Sequence, residues 1–142
     1  RLDRARRDRR IADLADRLAL NDFLDDLAEG YSHGMKQRVV IAGALLHEPR
    51  ILVVDDPMVG LDPRSVRVVK DILRELSRAG ASVFMSTHTL AVAEEMAARI
   101  GIIHHGDLAA LGTLDDLRRA AGGETGLEDS FLRITSDEEE AS

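Results

Sequence analysis

Hydrophobic positions along the chain change period several times, and each change marks an element. Within the first 19 residues Ile11, Leu14, Ala15 and Leu18 fall at helical spacing among Arg and Asp, which predicts an amphipathic helix. Asn21 to Leu27 predicts a short second helix ended by Gly30. From Met35 to His47 the chain is apolar on nearly every side, the pattern of a mostly buried helix, and Ser32 stands where its N-cap belongs. Ile51, Leu52, Val53 and Val54 then run without interruption between Pro49 and Pro57, as in a strand buried on both faces of a parallel sheet. Asp62 caps the next helix with Pro63 at its first position, Val66, Val69, Leu73 and Leu76 make its stripe, and Gly80 stops it. Ser82 to Ser86 reads as a second buried strand, followed by a helix through about Ala97. Ile100 to His104 is a third strand, turning at Gly106 and Asp107 into Leu108 to Leu111. Leu114 to Ala120 predicts a short helix broken by Gly122 and Gly123, Leu127 to Ile134 predicts one more, and the tail SDEEEAS reads as disordered.

Strand, helix and strand in that order make a βαβ unit, which brings His88 out on the same sheet edge as Asp55 and Asp56. Ligands gather beyond the carboxyl ends of such strands. Side chains alternate along a strand, so the two carboxylates are expected to point in different directions and suit different tasks. Read alone, the pair is equally a polar strand end before a turn. The helix that begins Ser32, His33, Gly34 offers an anion site, where a hydroxyl, an unhindered amide and the positive end of the helix dipole converge; the plainer reading is a bare N-cap. Lys36 and Arg38 oppose that dipole, which an anion or another contact would explain.

Composition narrows the function classes. Nineteen Lys and Arg against 26 Asp and Glu give a net charge of −7, which disfavours nonspecific nucleic-acid binding. The Arg cluster at residues 4, 6, 7, 9 and 10 is interleaved with Asp3, Asp8, Asp13 and Asp16 at pairing distances, as on a solvated charged face. The absence of Cys excludes a disulfide, a thiolate metal site and a cysteine nucleophile. No apolar run approaches the roughly 20 residues of a membrane span. Phe23, Tyr31, Phe84 and Phe131 are the whole aromatic complement, too few for a stacking platform. His104 and His105 are read as exposed strand-end residues, since no third metal ligand stands at a suitable spacing. The chain begins at Arg1, as expected of a piece of a longer product.

Taken in order, these residues closely resemble the C-terminal portion of the nucleotide-binding domain of ABC transporters. YSHGM, Tyr31 to Met35, is similar to the family's signature motif, usually LSGGQ. KQRVVIAGALLHEPRILVVDDP continues as the signature helix and Walker B strand do, VGLDP resembles the D-loop, and STH ending at His88 resembles the switch histidine. HHGDLAALGTLDDLR and LEDSFLRIT are similar to the ends of ATPases from multidrug and ABC-2-type exporters.

The resemblance implies a partial P-loop NTPase fold of α/β class, a mostly parallel sheet flanked by helices with part of the helical subdomain. Residues 1–48 would belong to that subdomain with the signature helix, 49–106 to the ATPase core, and 107–142 to a C-terminal hairpin, helices and acidic tail. It implies ATP and Mg²⁺ as cofactors. Ser32 and Gly34, with Tyr31, His33 and Met35 around them, would contact the γ-phosphate of an ATP held mainly by an opposite subunit. Asp55 would hold Mg²⁺ through water, Asp56 would polarise the attacking water, His88 would position it, and Asp62 would link the two sites across a head-to-tail dimer. The partners implied are a second nucleotide-binding domain and transmembrane permease subunits, with no nucleic acid, at the cytoplasmic face of a membrane.

Three departures qualify this expectation. No G-x-x-x-x-G-K-S/T phosphate loop occurs in the chain, so these residues alone should bind ATP poorly and be inactive in isolation. Asp56 stands where the family has glutamate, which points to slow turnover. His33 replaces a glycine, and its side chain either crowds the phosphate or faces solvent. The leading reading is the ATPase subunit of an exporter. The alternatives are a degenerate ATP-sensing subunit and a soluble ABC ATPase outside transport.

Overall fold

The computed structural model describes residues 3–122 and 126–136, which divide into two compact units, Arg1–Ser86 and Thr87–Ser142. Gly123 and the acidic tail beyond Ser136, for which a helix break and disorder are expected, lie outside the described residues.

The first unit opens with α1 (Arg4–Arg17), whose N-cap Asp3 accepts the Arg6 amide. Its apolar stripe buries Leu14, Ala15 and Leu18. Its arginines find acidic partners: Arg10 on Asp13, Arg17 on Glu75, and Arg6 on Glu48. Residues 21–27, expected to be helical, form irregular turns before a single 3₁₀ turn at Ala28–Gly30. There the Phe23 carbonyl accepts the Asp26 amide at 3.0 Å, a bond to the third residue on in place of the helical fourth, and the Tyr31 hydroxyl donates to the same oxygen at 2.9 Å. The Tyr31 ring meets Phe23 edge to face, with centroids 4.9 Å apart.

Arg38 completes this cluster from α2 (His33–Leu45). Its guanidinium donates to the carbonyls of Leu18 and Ala19, both at 3.1 Å, where α1 ends, and lies 5.0 Å from the Phe23 ring centroid. A cation near the start of α2 is therefore explained by the end of another helix, whose orphan carbonyls it satisfies. Arg38→Ala should lower the unfolding free energy by about 2–4 kcal/mol, combining the charged hydrogen bonds with the cation–π contact. Urea denaturation measures this; a loss below about 0.5 kcal/mol would mean that water replaces the guanidinium at both carbonyls. Contrary to the expectation of a mostly buried helix, α2 buries Ile41 and Leu45 while Val40 stays 66% exposed. Beyond Arg38 its residues are apolar on nearly every side, but the described residues cover it on one side.

β1 (Ile51–Asp55) and β2 (Ser82–Ser86) form a parallel pair in register, Val53 opposite Phe84 and Asp55 opposite Ser86. Between them α3 (Pro63–Arg78) crosses over, burying Val69, Ile72 and Leu73. It ends where the Ala81 amide returns to the Leu76 carbonyl and that of Gly80, at φ +93°, to Ser77. Leu52 faces this core, whereas Ile51 and Val53 are each 70% exposed and Phe84 is 68% exposed. The strand expected to be buried on both faces is thus covered on one.

In the second unit α4 (Leu90–Met96) precedes an antiparallel hairpin of β3 (Ile100–His104) and β4 (Asp107–Gly112). His105 and Gly106 both have positive φ, the turn geometry that fits a two-residue hairpin loop. α5 (Leu114–Ala120) and α6 (Leu127–Ser136) close over one hairpin face, burying Ile100, Ile102, Leu117 and Leu127 together. His104, expected to be exposed, is half-buried and its ring meets that of His105 at a tilt of 56°, with centroids 4.0 Å apart. Among the described residues no three metal-ligating side chains cluster.

Candidate functional site

The carboxyl end of β1 carries the acidic chemistry. Asp55, the last strand residue, accepts a short hydrogen bond from the hydroxyl of its register partner Ser86, leaving one carboxylate oxygen outside that contact. Asp56 leaves the strand at φ +39°, in the left-handed region that Asp tolerates better than most side chains. Its amide continues the ladder by donating to the Ser86 carbonyl at 3.0 Å. The backbone there leaves the extended path of β1, with Asp55 in the strand and Asp56 at the start of the turn. Pro57 is fully buried and fixes the turn in which the Val59 amide returns to the Asp56 carbonyl.

A second turn follows at once. The Leu61 amide donates to Met58, and Gly60 sits at φ +74°, the third position of a turn that needs positive φ. The chain then enters α3 through Asp62, which accepts from the amides of Arg64 and Ser65 at 3.0 and 3.1 Å. The Ser65 hydroxyl and then its amide, with that of Arg64, hold the Asp62 carboxyl below the usual carboxylate range. Asp62 is thus committed to capping. A contact made by it across a dimer would add to the cap and would not replace it.

The start of α2 lies against this second turn. Ser32 is the N-cap, its hydroxyl accepting the Met35 amide at 3.2 Å, so that the O–H proton remains to donate elsewhere. Met35 sulfur in turn accepts the Ser32 amide at 3.4 Å. Both readings of this helix end therefore persist, since the cap is formed and the hydroxyl still has a donor. Gly34 is required by packing: a Cβ there would come within 2.7 Å of the Gly60 carbonyl oxygen. The ring of His33 reaches the same glycine. Tyr31 instead turns inward onto Phe23.

The structure brings Ser32, His33 and Gly34 to the turn that leads into Asp62, all within the first unit. His88 is exposed and belongs to the second unit, two residues beyond β2. Two residues were missed from sequence. Ser86 as the partner of Asp55 follows from pairing ILVVD with SVFMS in parallel register, and Gly60 as the seat of His33 carries no sequence signal beyond its turn. A groove lined by Arg10, Arg17, Arg50 and Glu75 lies at the opposite end of the sheet, where Arg50 and Ala81 lead into the strands.

Comparison with known proteins gives the relatives of the chain as a whole. The ABC transporter family model matches residues 2–59. The linearmycin resistance ATP-binding protein LnrL of Bacillus subtilis (strain 168) is 34% identical over 131 residues, covering 87% of this chain and 42% of that protein. The daunorubicin/doxorubicin resistance ATP-binding protein DrrA of Streptomyces peucetius is 42% identical over 118 residues, 83% of this chain and 36% of its own length. A solved structure described as the ATP binding subunit of an ABC transporter superposes with a TM-score of 0.88 at 35% identity, over 94% of this chain and 56% of that one. The chain thus spans less than half the length of these two curated relatives.

Proposed function

The chain belongs to the ABC transporter family of nucleotide-binding domains and resembles its multidrug-exporter ATPases, and from that premise we propose that it forms the signature-to-C-terminus part of an exporter's ATP-hydrolysing subunit. The observation that carries this reading is the match over 94% of the chain to an ATP binding subunit. Two relatives are named for resistance to linearmycin and to daunorubicin/doxorubicin, which supports export over import. Partners are a second nucleotide-binding domain, head to tail, and transmembrane permease subunits that choose the substrate. Among the described residues no helix is long and apolar enough to cross a membrane, and the proposed position is peripheral, on the cytoplasmic face beside those permeases.

The donor set at the β1 end fits Mg²⁺, a hard cation that keeps most of its water and takes one or two carboxylates. Asp55 would hold it through the oxygen not engaged with Ser86, and when bound the ion would neutralise charge on the ATP phosphates. Asp56 would accept a proton from, or orient, the attacking water, and His88 would help to place that water. Ser32 and Gly34 would bind the γ-phosphate presented by the opposite subunit.

The test is ATP hydrolysis by the full-length protein with and without EDTA. Hydrolysis that requires Mg²⁺ is expected; no binding of ATP at all would sink the proposal. A second reading, an ATP-sensing subunit that binds without productive turnover, draws on the aspartate at position 56. Single-turnover kinetics in which bound ATP persists through many dimer lifetimes would favour it.

A further inference from the structure

We infer that His33 is a positioning residue, whose ring holds the turn Met58–Leu61 against the start of α2. A Cβ placed on Gly60 would lie 2.2 Å from His33 Cδ2, so the carbon edge of the imidazole rests on the bare Cα of that glycine. One residue further on, Gly34 brings its backbone to the Gly60 carbonyl, where a Cβ would be 2.7 Å from the oxygen. Two consecutive residues of α2 therefore grip one residue of the turn, the first by a side chain and the second by lacking one. His33 as a whole is nonetheless exposed. His33 thus neither simply crowds the helix end nor simply faces solvent, since its inner edge is used as a wedge.

The turn is anchored at its entry by buried Pro57 and at its exit by the Asp62 cap, and between these anchors Gly60 is the residue that His33 and Gly34 grip. Its internal hydrogen bonds are Val59 to Asp56 at 3.1 Å and Leu61 to Met58 at 3.3 Å, Val59 is 40% exposed, and Gly60 has no side chain to pack. The turn runs from the Asp56 carbonyl to Asp62, so the wedge fixes how these two residues stand relative to Ser32 and Gly34. Its catalytic consequence rests on the nucleotide-facing role proposed above; the contact itself does not.

The experiment compares His33→Ala and His33→Phe with wild type in the full-length protein, by hydrogen exchange and by steady-state kinetics. His33→Ala should speed exchange at the Val59 and Leu61 amides by about tenfold as the turn opens locally. It should lower kcat for ATP by about tenfold with KM within about twofold, as expected for a loss of alignment. His33→Phe, which keeps a planar carbon edge against Gly60, should restore both. Unchanged exchange in His33→Ala, or failure of Phe to restore it, overturns the proposal whether or not hydrolysis is measurable. Faster exchange with unaltered kcat overturns the catalytic consequence. A wild type that does not hydrolyse ATP counts against the functional reading alone, and exchange then decides the wedge.

Discussion

Asp55→Asn in the full-length protein is expected to reduce Mg²⁺-dependent ATP hydrolysis by about 10³-fold or more, because metal-ion stabilisation of a phosphoryl transition state is worth several kcal/mol. Asparagine keeps the oxygen that accepts the Ser86 hydroxyl and the place opposite Ser86 in the parallel ladder. What it removes is the negative charge that a hard cation requires. The thermal midpoint should therefore stay close to wild type, and nucleotide affinity measured without Mg²⁺ should change little. A variant that still hydrolyses within tenfold of wild type would show that the cation is held elsewhere. A collapse of the thermal midpoint would instead assign Asp55 to the sheet.

Asp56→Glu should move the rate the other way. Aspartate withdraws the carboxylate by about an ångström relative to the family's glutamate, and a misplacement of that size is worth up to about 10²-fold. A rise in kcat of about 10–100-fold is expected on that ground. The backbone at this position adds an opposing cost in stability. At φ +39° Asp is tolerated better than Glu, so the faster enzyme should be less stable by roughly 0.5–1 kcal/mol. Rate and denaturation midpoint should thus shift in opposite directions in one variant. An unchanged or lower kcat would mean that the shorter side chain is already matched to its surroundings, with Pro57 and the tight turn compensating for its length.

Elements set by local chemistry were legible in the sequence. The Asp62–Pro63 start of α3, the Gly80 stop, the Ser32 cap and the hairpin at Gly106 depend on side chains within a few residues, and each lies where the residue types required it. Local pattern failed where distant residues intervene. The turns at 21–27 carry a hydrogen bond from Tyr31, beyond the segment itself, and the oddly placed Arg38 is explained only by the end of α1. Burial of β1, β2 and α2 was overestimated because hydrophobicity says that a face seeks cover, without saying whether the residues at hand supply it. The candidate site divides in the same way. Its carboxylates and helix start were readable from spacing, whereas the seat of His33 on Gly60 is a contact across 27 positions that no periodicity encodes.

The open face of β1 and β2 also bears on how the described residues, taken by themselves, would behave towards a second copy. Ile51, Val53 and Phe84 form an apolar strip on a two-stranded sheet, and ILVV has the β-propensity and lack of charge that favour edge-to-edge assembly. Arg50 stands immediately before that run and Asp55 and Asp56 immediately after it, the placement of gatekeeper charges around a strand that cannot itself be made polar. Neutralising the two carboxylates proposed for phosphate chemistry would remove the charges that flank this strip, so variants at these positions are to be checked for association as well as for rate.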